Sequence, residues 1–285
     1  MSTATFERSD PQLLSVGYRL TGSVVAALGI AADGGSTSDP ADRLVRTVRA
    51  ALAALQAAAV RKQTYTGPWL PEPIVLEPDS FEDPLASAVA GDGARLATMV
   101  ALESLSPTTR ISYVLRDCFG TDAGQIAGAL AISADKVNRL ADKGAELMAD
   151  TLQPDSIEDH NEVVAQGVLA LTLGDMESLA ALAHPDLTYF ADSNGVTRSA
   201  TGPIVGSATV LRLLSTVMTR YGSEMTRHTR PVLINGEMGL LTDAGIREQS
   251  PLHRRVTALA VSGGKIVAVY DLSNPDKLTG TPLFR

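Results

Sequence analysis

Cysteine, histidine and tryptophan are scarce in this sequence of 285 residues, and their scarcity excludes several kinds of site. Cys118 is the only cysteine, so the chain can form neither an internal disulfide nor a zinc site built on cysteine ligands. The four histidines do not cluster with carboxylates at the spacing of metal ligands. The sequence therefore predicts no metal and no cofactor.

Long apolar runs are also missing. No stretch of about 18 apolar residues occurs, which argues against a membrane-spanning helix. Residues 1–10 are polar and acidic, unlike the basic and then apolar start of a secretory signal. We therefore expect a cytoplasmic protein with no membrane partner.

Basic residues are outnumbered, because 24 Lys and Arg face 32 Asp and Glu and give a formal net charge of -8. Proteins that bind nucleic acid usually carry a clustered excess of positive charge. A basic face can coexist with an acidic total charge, so the local distribution of charge decides whether the chain can bind nucleic acid. The length favours two or three small modules over a single core.

The first half of the chain has the apolar spacing of helices. Between Leu13 and Val60 the spacing predicts two helices, separated by a polar and glycine-rich joint at Ala32–Pro40. Asp39 precedes Pro40 as a helix cap. Helical spacing returns at Leu85–Leu152, and Ser106 and Ser133 stand at helix starts.

Between these helical segments lies a connector at residues 66–78 that is rich in proline. Its locked φ angles and missing donors exclude regular structure and predict an extended linker. Trp69, the only tryptophan, lies inside the linker, and we expect it to anchor the linker on a neighbouring domain.

The segment Thr121–Met148 has the pattern of a helix-turn-helix. Ala123–Leu130 forms the first helix, Ala131–Ser133 the turn, and Ala134–Met148 the second helix. Residue pattern alone leaves an ordinary helical hairpin as an open alternative.

The last third of the chain reads as an α+β domain with a cone-like antiparallel sheet. Asp155–His160 forms a polar boundary, and Asn161–Ala183 follows as a pair of helices. Gly263-Gly264 separates two β-rich runs as a hairpin turn. Short apolar runs separated by turn residues predict strands at Leu187–Phe190, Pro231–Ile234, Met238–Thr242, Val256–Val261 and Ile266–Leu272.

Several motifs resemble one family in the same order along the chain. The run Tyr65–Pro73, which contains Trp69-Leu70-Pro71-Glu72-Pro73, is similar to the connector of SigJ-like extracytoplasmic-function sigma factors with a C-terminal SnoaL-like domain. Tyr18–Val24 resembles the opening helix of their region two, and Asp83–Leu85 and Leu102–Pro107 resemble the start of region four. Asp192–Gly195, Pro203–Gly206 and Asn274–Leu278 resemble loops of their C-terminal domain.

The resemblance implies a multidomain chain: all-α sigma regions two and four, then an α+β SnoaL-like (NTF2-like) cone domain. We place region two at 1–64, the linker at 65–81, region four with its helix-turn-helix at 82–153 and the SnoaL-like domain at 159–285. The implied activity is not enzymatic. The implied partners are the RNA polymerase core, promoter DNA and a small ligand in the C-terminal pocket.

Region two departs from the family pattern. Residues Val25–Ser38 lack the carboxylates and the tryptophan expected for polymerase contact, and Leu52–Val60 lacks the expected arginines. We therefore expect weakened promoter contact there.

Residues 82–152 carry six basic and ten acidic residues, an unfavourable balance for a DNA-reading module. The second helix of the helix-turn-helix nevertheless offers side chains for phosphates and base edges, namely Lys136, Asn138, Arg139 and Lys143.

The resemblance assigns two further groups of residues. The linker anchors are Trp69, Leu70, Pro71, Glu72 and Pro73. The contact between the SnoaL-like and sigma parts, taken as regulatory, comprises Asp192, Asn194, Gly195, Asn274, Pro275, Asp276 and Lys277.

Two alternatives to a working sigma factor stay open at this point. The chain can be a degenerate paralogue that acts by protein contact or by sensing a ligand. It can also be a SnoaL-like enzyme that moves a proton within an apolar cavity. The residues for that chemistry are His184, Asp186, Tyr189 and Asp192, although their spacing places no pair of them in one cavity.

Overall fold

A computed structural model describes residues 10–78, 94–149, 154–197, 199–245 and 251–278. Helices form its first half, and a seven-stranded sheet with further helices forms its second. The expected order of an all-α part and an α+β part is thereby confirmed. In the described ranges no helix is both long and apolar enough to cross a membrane. The Asp83–Leu85 motif and the boundaries expected at 81–82 and at 153 lie outside the described residues.

The described part of the chain begins with three helices, where the spacing predicted two: α1 (Pro11–Thr21), α2 (Val24–Gly34) and α3 (Pro40–Lys62). The additional break occurs because Gly22 adopts a left-handed conformation with φ 66°, and Ser23 then caps α2 by accepting a bond from the Ala26 amide at 3.2 Å. Asp39 caps α3 as expected. The expected joint at 32–40 is shorter, since α2 continues to Gly34.

From residue 94 on, the described helices are α4 (Leu96–Leu102), α5 (Pro107–Tyr113), a π-helical turn (Val114–Cys118), α6 (Ala123–Leu130) and α7 (Ala134–Ala149). Ser106 caps α5, and Ala131 makes the tight turn between α6 and α7 with φ 56°. The bounds of α6 and α7 agree with the expected helix-turn-helix to within one residue. Cys118 is exposed.

One hydrophobic core runs through all of these helices. Leu14 and Val48 from the first three helices belong to the same buried cluster as Met99, Ile126 and Val137 from the later ones. Helix α3 packs against α5 and α6. The two helical regions are therefore packed together as one body.

The second half comprises α8 (Ile157–Leu173), α9 (Met176–Leu182), β2 (Ala183–Asp192), β3 (Ile204–Val205), α10 (Ser207–His228), β4 (Thr229–Ile234), β5 (Glu237–Thr242), β6 (Arg255–Ser262), β7 (Lys265–Leu272) and α11 (Pro275–Leu278). With Val75–Leu76 as β1, the sheet order is β1-β4-β5-β6-β7-β2-β3, and every neighbouring pair is antiparallel except β2 and β7. The five expected strands are present. Helix α10 was missed, and α8 begins inside the expected boundary at Asp155–His160.

The linker contributes a strand of its own, which corrects the expectation that it has no regular structure. Val75–Leu76 form β1, an edge strand that pairs with β4. These two residues have the amide groups that the surrounding prolines lack, so they can join the ladder at its edge. Leu70 and Val75 also enter the core of the sheet. We call residues 65–76 the strap.

Candidate functional site on the strap and the exposed helix

The strap is held to the sheet by Asp192, the last residue of β2. Its side chain is fully buried. One carboxylate oxygen, Oδ1, accepts a bond from the Tyr65 hydroxyl, and the other, Oδ2, accepts from the Leu70 amide at 2.8 Å and from Lys277 Nζ at 2.7 Å. These three hydrogen bonds, two from the strap and one from Lys277, compensate for the cost of burying the carboxylate charge of Asp192.

Lys277 of α11 contacts three parts of the strap. Its ammonium donates to the Leu70 carbonyl at 2.5 Å and lies 3.7 Å from the centre of the Trp69 ring and 4.8 Å from that of Tyr65. Burial lowers the pKa of Lys277, and the nearby Asp192 carboxylate opposes that shift. The ammonium thus combines an ion pair with a cation–π contact.

Asn274 completes this arrangement. Its side-chain amide donates to the Tyr65 hydroxyl at 2.7 Å, and its backbone amide donates to the Asp192 carbonyl at 3.1 Å. Burial, followed by the Asp192 carboxylate, raises the pKa of Tyr65, so the phenol stays a neutral donor. We call this set the clamp: Tyr65, Trp69, Leu70, Asp192, Asn274 and Lys277.

The other residues assigned to this contact lie at its edge. Asn194 accepts a bond from the Thr66 amide at 3.3 Å, and Gly195 faces the Thr66 side chain. Pro275 and Asp276 are exposed, although the Asp276 amide donates to Asn274. The structure therefore brings Asp192, Asn274 and Lys277 together at the centre of the contact, with Asn194 and Gly195 at its edge beside Thr66.

Glu72 connects the strap to the first helices. Its carboxylate accepts bonds from the Ser23 hydroxyl at 2.8 Å and from the Val24 amide at 2.7 Å, which lies in the first turn of α2. Helix N-termini favour negative charge because their first amides lack partners. Pro71 and Pro73, on either side, are buried.

A second contact between the two halves escaped the sequence reasoning. Asn235, buried in the turn between β4 and β5, donates to the Tyr18 hydroxyl at 2.8 Å and accepts from the Ile74 amide at 2.9 Å. Tyr18 in turn donates to the Glu72 carbonyl at 2.7 Å. Asn235-Gly236 is a hairpin signal, but nothing in the sequence shows that this turn reaches Tyr18 of α1.

Helix α7 presents Lys136, Asn138, Arg139 and Lys143 to solvent. Val137, Ala141 and Gly144 form its buried face. Arg116 reaches α7 from the π-helical turn, where it bonds the Asn138 carbonyl at 3.1 Å and Asp142 at 2.8 Å. The exposed face therefore retains three cations and one amide that a polyanion can reach.

Several other arginines and lysines are occupied inside the fold. Arg110 is buried, pairing with Glu103 at 2.6 Å and donating to the Arg19 carbonyl at 3.0 Å. Lys62, at the end of α3, pairs with the other oxygen of Glu103 at 2.5 Å. Arg95 pairs with Glu237. These cations form ion pairs within the chain.

A cavity of about 500 Å³ lies between α10 and the sheet. Of the four residues proposed for catalysis only Tyr189 lines it, because Asp192 is in the clamp, and His184 and Asp186 lie at the start of β2, away from the cavity. The polar side chains beside Tyr189 are Asp271 and Arg255, which the sequence reasoning missed. The sequence did offer one signal for this pair, because Asp271 is a carboxylate within the otherwise apolar run of β7. In the described part of the chain, no group of three or more His, Cys, Asp or Glu could hold a metal.

The sigma factor SigJ of Mycobacterium tuberculosis is 38% identical to this chain in an alignment of length 302. The alignment covers 99% of this chain and 95% of that one. The chain belongs to the SigJ family of extracytoplasmic-function sigma factors. The crystal structure of the same M. tuberculosis factor matches with a TM-score of 0.83 and 35% identity, over 99% of this chain and 100% of that one.

The likeness extends over both halves, so the helical sigma regions and the SnoaL-like α+β domain both belong to the family fold. A second sigma factor of M. tuberculosis, SigI, is 28% identical over 116 residues, 40% of each chain. No family model matches the chain. Membership makes this chain a transcription factor of the sigma type and removes the enzyme alternative.

Proposed function

We propose that this chain binds the RNA polymerase core and promoter DNA, and that its own SnoaL-like domain regulates both contacts. Family membership supports the sigma role. The exposed face of α7 carries the DNA part of the proposal, because Arg139 and Asn138 are types that can bond base edges, and Lys136 and Lys143 can neutralise phosphates.

The clamp supports the regulatory part. The strap follows α3 directly and connects the two helical regions, so it must move if those regions separate. The C-terminal domain holds the strap through Asp192 of β2 and Lys277 of α11, in contacts that are buried. We propose that the clamp keeps the two sigma regions packed together and that a small ligand of the C-terminal domain changes this restraint.

The test uses the full-length chain, because Leu70 and Val75 contribute to the core of the sheet and truncation would expose that core. Purified protein is incubated with core polymerase and analysed for co-elution at low and high salt. We expect salt-dependent co-elution, and stronger binding for Lys277→Met, which weakens the clamp. No co-elution at low salt would contradict the proposal.

Promoter contact is tested separately by DNA binding of the chain–polymerase complex. Arg139→Ala should weaken binding by about 1–3 kcal/mol and reduce its dependence on salt. Arg212→Ala is the matched control, since Arg212 is an exposed arginine of α10, in the other half of the chain. Equal losses in the two variants would show that α7 has no special part.

A second candidate function is that of a sigma paralogue that acts through protein contacts without reading promoters. Two observations favour it. The described α2 is built largely from apolar residues, and two basic residues of α3 are paired within the chain, Lys62 with Glu103 and the half-exposed Arg46 with Asp42. For this candidate we expect polymerase binding that does not change when DNA is added. We also expect the Arg139→Ala variant to bind polymerase and DNA as the wild type does.

A further inference from the structure

Arg116 lies in the π-helical turn Val114–Cys118 and reaches α7, the helix that offers side chains to DNA. Single turns of this type are rare and occur often at functional sites. The Arg116 guanidinium makes five hydrogen bonds, as many as it has N–H donors. Its orientation is therefore fixed, and it has no donor left for a phosphate.

Two carboxylates hold the guanidinium in place. Asp117 accepts from Nε at 2.6 Å and from Nη2 at 3.1 Å, and Asp142 of α7 accepts from Nη2 at 2.8 Å. Two parallel bonds to one carboxylate define the plane of a guanidinium. Asp117 alone can therefore keep Arg116 oriented if Asp142 is replaced.

The remaining nitrogen of the guanidinium, Nη1, faces Asn138 of α7. It donates to the Asn138 carbonyl at 3.1 Å and to the side-chain oxygen Oδ1 at 3.4 Å. A guanidinium can only donate, so it favours the orientation in which Oδ1 faces Arg116 and the amino group Nδ2 faces away. Asn138 is exposed and is the fifth residue of α7, in the N-terminal part of the helix that contacts base edges in helix-turn-helix proteins.

We propose that Arg116 is a positioning residue that makes Asn138 read guanine instead of adenine. The inference rests on the proposed contact of α7 with promoter DNA and names the base that this contact selects. An unrestrained asparagine pairs with adenine by donating to N7 and accepting from the N6 amino group. Arg116 occupies the oxygen needed for the second of these bonds, and its own donors repel the amino group. The Nδ2 group that remains matches guanine, which presents two acceptors, N7 and O6, in the major groove.

Binding-site selection by the full-length chain in complex with core polymerase tests the proposal. The complex is mixed with duplex DNA that contains a randomised segment, and the bound sequences are counted for the wild type and for Asn138→Ala. We expect one position at which the wild type favours guanine over adenine by about fivefold or more, and Asn138→Ala should remove this preference. Adenine at the position that depends on Asn138, or no such position, would overturn the inference, and neither result needs a variant of Arg116.

Arg116→Met frees the side-chain oxygen of Asn138. At the same position the ratio of guanine to adenine should then fall by about fivefold or more. The affinity for all sequences should also fall, because Asp117 and Asp142 then face DNA without their cation. A uniform loss of affinity with an unchanged ratio would show that Arg116 acts through its charge alone and would overturn the inference.

Two further variants separate the effect of position from that of charge. Asp142→Asn removes a negative charge but leaves Arg116 held by Asp117, so we expect tighter binding with the preference for guanine retained. A shift to adenine in this variant would contradict the role given to Arg116. Arg227→Met removes an exposed arginine of α10 that pairs with Glu224, and it should change neither the affinity nor the preference.

The same selection distinguishes a failure of this inference from a failure of the sigma role. DNA that is bound without a preference at any position set by Asn138 overturns the inference and leaves promoter binding intact. If the complex recovers no DNA at all, both the inference and the proposed promoter contact are overturned.

Discussion

Lys277 Nζ lies 3.7 Å from the centre of the Trp69 ring, across the contact between the sigma regions and the SnoaL-like domain. Trp69 is the only tryptophan, so tryptophan fluorescence reports the surroundings of this one ring, which also include Arg61 and Lys62. The ring is half-buried, and we expect its native emission to be blue-shifted relative to the unfolded chain. Lys277→Met should change the position or intensity of the emission. Lys143→Met, an exposed lysine of α7, is the control, and identical spectra for all three proteins would contradict the contact.

The pair of Asp192 and Lys277 also predicts a stability effect. Lys277→Met leaves a buried carboxylate without its cation, a change that typically costs about 3–5 kcal/mol. Urea unfolding should detect this loss. In the double variant Asp192→Asn with Lys277→Met, the loss should be smaller than the sum of the two single losses, because the stranded charge is gone. Additive losses would show that the two residues do not interact.

The clamp also shows what the sequence could and could not provide. Asp192 and Lys277 were expected to lie at one contact, but only through their place in family motifs. Periodicity correctly predicted α6, α7 and five strands, because apolar spacing records which face of an element is buried. Pairs 85 residues apart, such as this one, leave no local pattern.

The errors have local physical causes. Helix α10 was missed although its apolar residues recur at helical spacing, and Gly222 interrupts it with backbone angles that are not helical. The strap was taken as irregular because its prolines dominate the composition, although Val75–Leu76 can pair at an edge. Asp271 was overlooked because a single carboxylate in an apolar strand indicates a buried ion pair only when its partner is known. The partner, Arg255, lies on the neighbouring strand, and the sequence does not show that the two side chains meet.

Tyr18 predicts how stability depends on pH. Burial raises the pKa of this phenol above its ordinary value of 10.0. A folded pKa above the unfolded one gives stability that is fully present below about pH 10 and is lost as the pH rises further. Tyr18→Phe should cost about 1–3 kcal/mol at pH 7, since the Glu72 carbonyl and the Asn235 amide lose a partner.

The pH dependence separates this from a simple packing effect. Between pH 9 and 11 the free energy of unfolding should fall less steeply in Tyr18→Phe than in the wild type, because one ionising group is removed. The other tyrosines with a raised pKa, among them Tyr270 at about 12, remain in both proteins and cancel in the comparison. Parallel curves would mean that Tyr18 ionises equally in the folded and unfolded chain.

Two glycines of the helix-turn-helix make a matched pair for testing how α7 is held. At Gly144 an added Cβ would lie 2.7 Å from Cβ of Tyr113 on α5, whereas at Gly128 on α6 it would meet nothing within 4 Å. Gly144→Ala should therefore destabilise the protein by about 1–3 kcal/mol through overpacking. Gly128→Ala should stabilise it by about 0.5–1 kcal/mol, because alanine favours the helix.

Urea unfolding of both variants measures the difference, and DNA binding of the chain–polymerase complex shows its consequence. Because Tyr113 meets Gly144 through its Cβ, close to the backbone, α7 must shift for the added methyl group to fit. The face with Lys136, Asn138 and Arg139 then moves with it. We expect weaker DNA binding for Gly144→Ala at a temperature where it remains folded, and unchanged binding for Gly128→Ala. Equal DNA binding by the two variants would mean that the packing of α7 on α5 does not position this face.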